Sequence, residues 1–85
     1  MEKNYTDARK ILANNIVYFR LKNNWSQEEF AEELGTTTTY VSNLENGRRN
    51  TRIDYIENIA DVLGVPIDQL LVDREPVKKR RAPRK

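Results

Sequence analysis

The chain has 85 residues, 33% of them charged, a formal net charge of +2, and neither cysteine nor histidine. That length allows one small domain with a limited core, and the composition excludes disulfides, thiolate zinc sites and the usual catalytic bases. No apolar run approaches the roughly 20 residues that span a membrane, and the charged opening MEKNYTDARK leads into no signal-peptide core, so a cytoplasmic protein without membrane association is expected.

The elements follow from spacing and from stop signals. A first helix is expected from about Thr6 to Lys22, with Leu12, Ile16 and Phe19 as its apolar stripe and Asn23 and Asn24 as its breakers. The second helix has a full start signal: Ser26 as N-cap and Glu29 three positions later form a capping box, worth on the order of 1 kcal/mol from the cap alone. Trp25 before the cap and Phe30 after it are spaced as a hydrophobic staple. Phe30, Ala31 and Leu34 continue at helical spacing until Gly35, which can take the positive φ of a sharp turn. A third helix is expected over about Thr38 to Glu45, capped by Thr37 and stopped at Gly47.

That third helix opens within a run of four threonines, which are poor helix formers, so the packing of Val41 and Leu44 must hold it. A threonine run also suits a solvated loop. A fourth helix follows over about Arg52 to Leu63, with Ile53, Ile56, Ile59, Ala60 and Leu63 on one face and Gly64 at its end. Val65 and Pro66 introduce a short fifth, whose apolar positions are Ile67, Leu70 and Leu71. The expected organisation is a domain over residues 1–72 and a flexible basic tail over 73–85, a stretch too polar to bury itself.

The stretch 27–47, QEEFAEELGTTTTYVSNLENG, is thus two short helices joined by a tight turn, the unit that a helix-turn-helix DNA reader needs. The outer face of the second helix carries Thr38, Thr39, Ser42 and Asn43, short hydrogen-bonding side chains suited to base edges. Charge supports a sided molecule. The tail holds Lys78, Lys79, Arg80, Arg81, Arg84 and Lys85 with no acid from Pro76 onward; removing these six positives from +2 leaves −4 on residues 1–75. Attraction of the folded part for DNA must then come from local placement, with acids at Glu28, Glu29, Glu32 and Glu33 and arginines at 48, 49 and 52.

With Gln27, Ala31, Gly35, Val41, Leu44, Glu45 and Gly47 in register, followed by IADVLGVPIDQLL, the chain resembles the phage repressor and Cro family, also called the xenobiotic-response-element family, over about Leu12 to Leu71. The resemblance implies an all-α, compact five-helix, lambda-repressor-like DNA-binding domain. It implies base contacts from Thr38, Thr39, Ser42 and Asn43, and phosphate contacts from Gln27, Asn46 and Arg48, extended by Arg49 and Arg52. Tyr40 either packs along the sugar-phosphate backbone or covers the domain. Arg20 and Glu45 match a structural ion pair of the family rather than DNA contacts. Two departures stand out: threonines replace the family's frequent glutamine or arginine on the recognition helix, and Pro66 replaces a small polar cap.

The expected function is a sequence-specific transcription regulator, a repressor occupying a two-fold operator on double-stranded DNA as a homodimer. Leu71 and Val72 are the favoured dimer contacts, because relatives commonly pair near their last helix; Val17, Tyr18 and Leu21 form a second set. The competing reading is an antitoxin or adaptor that captures a partner protein. No enzyme activity, cofactor or metal is expected, since no phosphate-cradling glycine loop or substrate cleft is encoded. The tail can add phosphate contacts, serve as a linker, or be inert.

Overall fold

A computed structural model describes residues 6–78. The order is α1 (Thr6–Lys22), α2 (Gln27–Leu34), α3 (Thr38–Glu45) and α4 (Ile53–Leu63), followed by a 3₁₀ turn (Ile67–Leu71). No strand occurs among the described residues, and no helix there is long and apolar enough to cross a membrane. The fifth helix expected from the sequence is this single 3₁₀ turn. Pro66 at its N-cap offers no side-chain acceptor, and Gln69 N closes back on Pro66 O at 3.0 Å in the tighter three-residue pattern.

Helix ends are set by local chemistry. α1 stops because Asn24 takes the left-handed conformation (φ 60°), letting Trp25 N donate to Arg20 O at 3.2 Å and Asn24 N to Leu21 O at 2.9 Å. The α2 capping box is complete: Glu29 N donates to Ser26 Oγ at 3.0 Å, and Ser26 N to Glu29 Oε1 at 2.8 Å. Trp25 and Phe30 stack with ring centroids 6.0 Å apart. Gly35, at φ 77°, turns the chain between α2 and α3, where a residue with a Cβ would be strained. Thr37 Oγ1 then accepts from Tyr40 N at 3.1 Å and starts α3 despite the weak propensity of the threonines.

One core joins all four helices and the 3₁₀ turn. Leu12 and Ile16 of α1 meet Phe30, Ala31 and Leu34 of α2, Val41 and Leu44 of α3, Ile56, Ile59, Ala60 and Leu63 of α4, and Leu70. Ile53 departs from the apolar stripe assigned to α4: it is 67% exposed at the first position of that helix, one turn before the buried Ile56. Val17 is fully buried, so it is core and not a dimer contact.

Two polar residues of α1 organise the other end of the chain. Asn15 is completely buried, and its Nδ2 donates to Leu70 O at 2.7 Å and Val72 O at 2.8 Å. Asn14 Nδ2 donates to Glu75 O at 3.1 Å, and its Oδ1 accepts from Val77 N at 2.7 Å. The Arg74 guanidinium lies 4.7 Å from the Tyr18 ring centroid and 5.0 Å from that of Phe19, and donates to Gln69 Oε1 at 2.7 Å. Residues 72–78 have no regular secondary structure, yet they follow α1 as far as Val77. The rest of the basic tail, residues 79–85, lies outside the described residues.

Candidate nucleic-acid interface

α3 is a helix with two chemistries. Its inner side is fixed by Val41, Leu44 and Glu45, all buried. Its outer side carries Thr38 and Thr39, both exposed, and Ser42 and Asn43, both half-buried. Ser42 Oγ is 3.5 Å from Asn46 Nδ2, one turn later. Short donors and acceptors on a rigid, anchored helix are suited to reading base edges in a major groove.

The helix is held in place by an ion pair at its end. Arg20 Nε donates to Glu45 Oε2 at 2.6 Å and Nη2 to Oε1 at 3.2 Å, with the two side chains only 4% and 0% exposed. Arg20 Nη1 also donates to Trp25 O at 2.8 Å. A third partner joins from α2: Gln27 Nε2 donates to Glu45 Oε1 at 2.9 Å. One carboxylate therefore fastens the end of α1, the start of α2 and the end of α3. Gln27, expected to contact phosphate, here commits one amide proton to Glu45.

Five of the six positions expected to contact phosphate, all but Gln27, lie in α3 or between α3 and α4. Tyr40, Arg49 and Arg52 line one groove of about 390 Å³ together with Asn50, Thr51, Asp54, Tyr55 and Asn58. Within it the Arg49 guanidinium sits 4.5 Å from the centroid of the Tyr40 ring, and Tyr55 meets that ring edge-on at 5.7 Å. Tyr40 thus both packs on the domain and carries a cation at the surface. Burial raises the Tyr55 phenol above its ordinary pKa, the neighbouring Tyr40 adds to that, and Arg49 opposes it. Arg52 makes a loose, exposed pair with Asp54 at 3.6 Å, which leaves it free to exchange partners.

Asn46 and Arg48 are exposed just beyond α3. Asn46 lines a second, smaller cavity with Glu45, Gly47, Lys10 and Val77. Arg48 N donates to Asn43 O at 3.0 Å and turns the chain away through Gly47 at φ 70°. Tyr55, Asn58 and Thr51 were not singled out in the sequence; they sit one turn apart on α4 or in its lead-in, and only the fold brings them to Tyr40. Of the dimer candidates, Leu71 is 51% and Val72 39% exposed, and Tyr18 is covered by Arg74.

The chain is similar to known helix-turn-helix proteins over most of its described length. The family model described as helix-turn-helix matches residues 16–70. A hypothetical transcription factor of Neisseria meningitidis serogroup B is 46% identical over 66 residues, covering 78% of this chain and 62% of that protein. The match thus spans less than two thirds of that relative's length. The control protein C.BamHI of Bacillus amyloliquefaciens is 41% identical over 66 residues, covering 76% of this chain and 82% of its own. The crystal structure of the hypothetical transcription factor NHTF from Neisseria superposes with a TM-score of 0.75 at 41% identity, covering 86% of this chain and 84% of that one.

Proposed function

Since the chain belongs to the helix-turn-helix family of the Cro and phage-repressor type and is a DNA-binding transcription regulator, we propose that it is a repressor that occupies a two-fold operator as a homodimer. α3 enters the major groove. Thr38, Thr39, Ser42 and Asn43 contact base edges, Asn43 as a partner for adenine and the threonine methyls for thymine methyls. Tyr40, Arg49 and Arg52 hold one stretch of phosphate backbone, Asn46 and Arg48 a second, and Gln27 a third through its remaining amide proton.

The observation that carries this reading is the division of α3 itself: a polar outer face on a helix whose inner face is locked by Val41, Leu44 and the Glu45 ion pair. One such helix covers few base pairs, so two copies are needed for specificity, with recognition helices about 34–36 Å apart. Leu71 and Val72, apolar and exposed at the end of the 3₁₀ turn, are the surface through which the copies pair.

Selection from a randomised duplex pool at about 150 mM salt tests this, because nonspecific binding is weak there. Enrichment of an inverted repeat with half-sites near one helical turn apart is the expected result. A pool without enrichment overturns it and favours an antitoxin or adaptor that captures a protein.

A further inference from the structure

Arg49 is held by rings and not by backbone. It lies midway along residues 46–52, between α3 and α4, and among the described residues no backbone hydrogen bond involves Arg49, Asn50 or Thr51. Nor does its guanidinium form an ion pair there, unlike Arg20 with Glu45 and Arg52 with Asp54. What fixes it is the Tyr40 ring, whose centroid is 4.5 Å away. Tyr40 in turn meets Tyr55 at 5.7 Å, with the ring planes 81° apart. Tyr55 stands beside Ile56 in α4, one turn before Ile59, and both isoleucines are buried in the core, so its backbone is anchored. Support therefore runs from the core through Tyr55 and Tyr40 to an exposed cation.

We propose that Tyr55 is a positioning residue for DNA binding: it steadies the Tyr40 ring and, through that ring, aims Arg49 at a backbone phosphate. This rests on the reading of α3 as the DNA-facing helix and of the groove beside it as a phosphate contact. Arginine has a long, rotamer-rich side chain, and ordering it at the moment of binding costs affinity. A guanidinium already stacked on a ring has lost much of that freedom beforehand. The charge of Arg49 is also unspent. Asp54 is the one acid lining this groove among the described residues, and Arg52 lies 3.6 Å from it. Arg74 shows the contrasting use of the same contact. It too lies against rings, those of Tyr18 and Phe19, but it is half-buried and donates to Gln69 Oε1, so its charge serves the fold. Arg49 is exposed and faces the groove it shares with Arg52.

Proton NMR of the free protein reads the support without DNA. The Arg49 side-chain methylene signals should be shifted upfield by the Tyr40 ring current. Tyr55→Phe keeps the ring contact and should leave that shift in place. Tyr55→Leu keeps an apolar side chain against the core and should return the signals toward their random-coil position; Tyr55→Met carries the same expectation if the leucine variant folds poorly. On the operator recovered by selection, Tyr55→Leu should weaken binding by about two- to fivefold per half-site, the scale of an exposed cation–ring contact. Tyr55→Phe should bind as the parent does. In an Arg49→Ala background, Tyr55→Leu should change affinity no further, because its effect passes through Arg49. An Arg49 shift unmoved in Tyr55→Leu and Tyr55→Met overturns the support. Equal losses of binding in Tyr55→Phe and Tyr55→Leu make the hydroxyl a contact of its own and overturn the positioning role, as do losses that add in the double variant. A parent that selects no operator overturns the reading of α3 and this proposal with it, and the NMR shift then still shows whether the stack itself holds.

Discussion

Gln27 and Glu45, the first residue of α2 and the last of α3, are joined by a 2.9 Å hydrogen bond on the same carboxylate that Arg20 grips. The angle between the two helices of the motif is thus fixed by a charge-assisted contact as well as by Ala31 and Val41 in the core. Removing the carboxylate strands a buried guanidinium, which costs roughly 3–5 kcal/mol. Domains of this size are stable by only about 5–15 kcal/mol. Glu45→Ala should therefore lower the melting temperature by well over 10 °C, whereas Asn43→Ala should move it by a few degrees, as calorimetry would show. Equal melting temperatures for the two would sink this account of the pair.

Asn43 should show the opposite balance in binding. It faces outward from a helix that stays folded without it, so Asn43→Ala leaves stability nearly intact. Affinity for the selected operator should fall by about 1–3 kcal/mol, and discrimination at one base-pair position should relax. Binding to a panel of single-substitution operators reads this out directly. A uniform loss over all positions would instead make Asn43 a backbone contact.

Arg49 is a contact of the other kind. Stacked on Tyr40 at the groove it shares with Arg52, it offers charge without base selectivity. Arg49→Ala should weaken binding to every sequence alike and reduce the salt slope by about 0.9 per half-site. Titrations at four salt concentrations suffice. A change confined to one base position would contradict the assignment.

Pairing through Leu71 and Val72 is open to a simple disruption. Leu71→Glu with Val72→Glu places four carboxylates across a two-fold contact while touching no buried side chain. Sedimentation should show monomers, with the helical circular dichroism of the parent. A variant that remains dimeric moves the interface elsewhere, and the exposed Ile53 would be the next surface to test.

Asn15 is the strongest stability test outside the ion pair. Its amide satisfies two carbonyls in the interior, so Asn15→Ala should cost about 1–3 kcal/mol. Asn15→Asp should cost more, because it replaces the donor with an acid facing those same oxygens, and denaturant titration at neutral pH would rank the two.

Much of the fold was legible because its signals are local. Ser26 and Glu29 announce α2, Gly35 its stop, and the spacing of Val41 and Leu44 carries α3 through a threonine run. The pitch of the last turn was not, since Pro66 marks a start without telling a 3₁₀ turn from an α-helix. Nor was the exposure of Ile53, which fits the stripe of α4 but sits at its first position, outside the core. At the site, the outer face of α3 could be read from residue type, whereas the grouping of Tyr40 with Tyr55 depends on a loop whose course no periodicity reveals. Asn14 and Asn15 left no trace at all. Their partners lie 55 to 63 residues away, and an asparagine inside a helix looks the same whether it faces water or a distant carbonyl.

That separation also orders events in time. α2 and α3 sit next to each other in the chain and can assemble early, but α1 finds its last partners only when residues 70–77 arrive. Closing so long a loop is an entropic debt settled late on the path to the native state. Contacts formed after the main barrier govern how fast a protein comes apart more than how fast it assembles. If the asparagine clasp closes late, Asn15→Ala should speed unfolding more than it slows folding, so that the clasp governs how long a finished molecule persists.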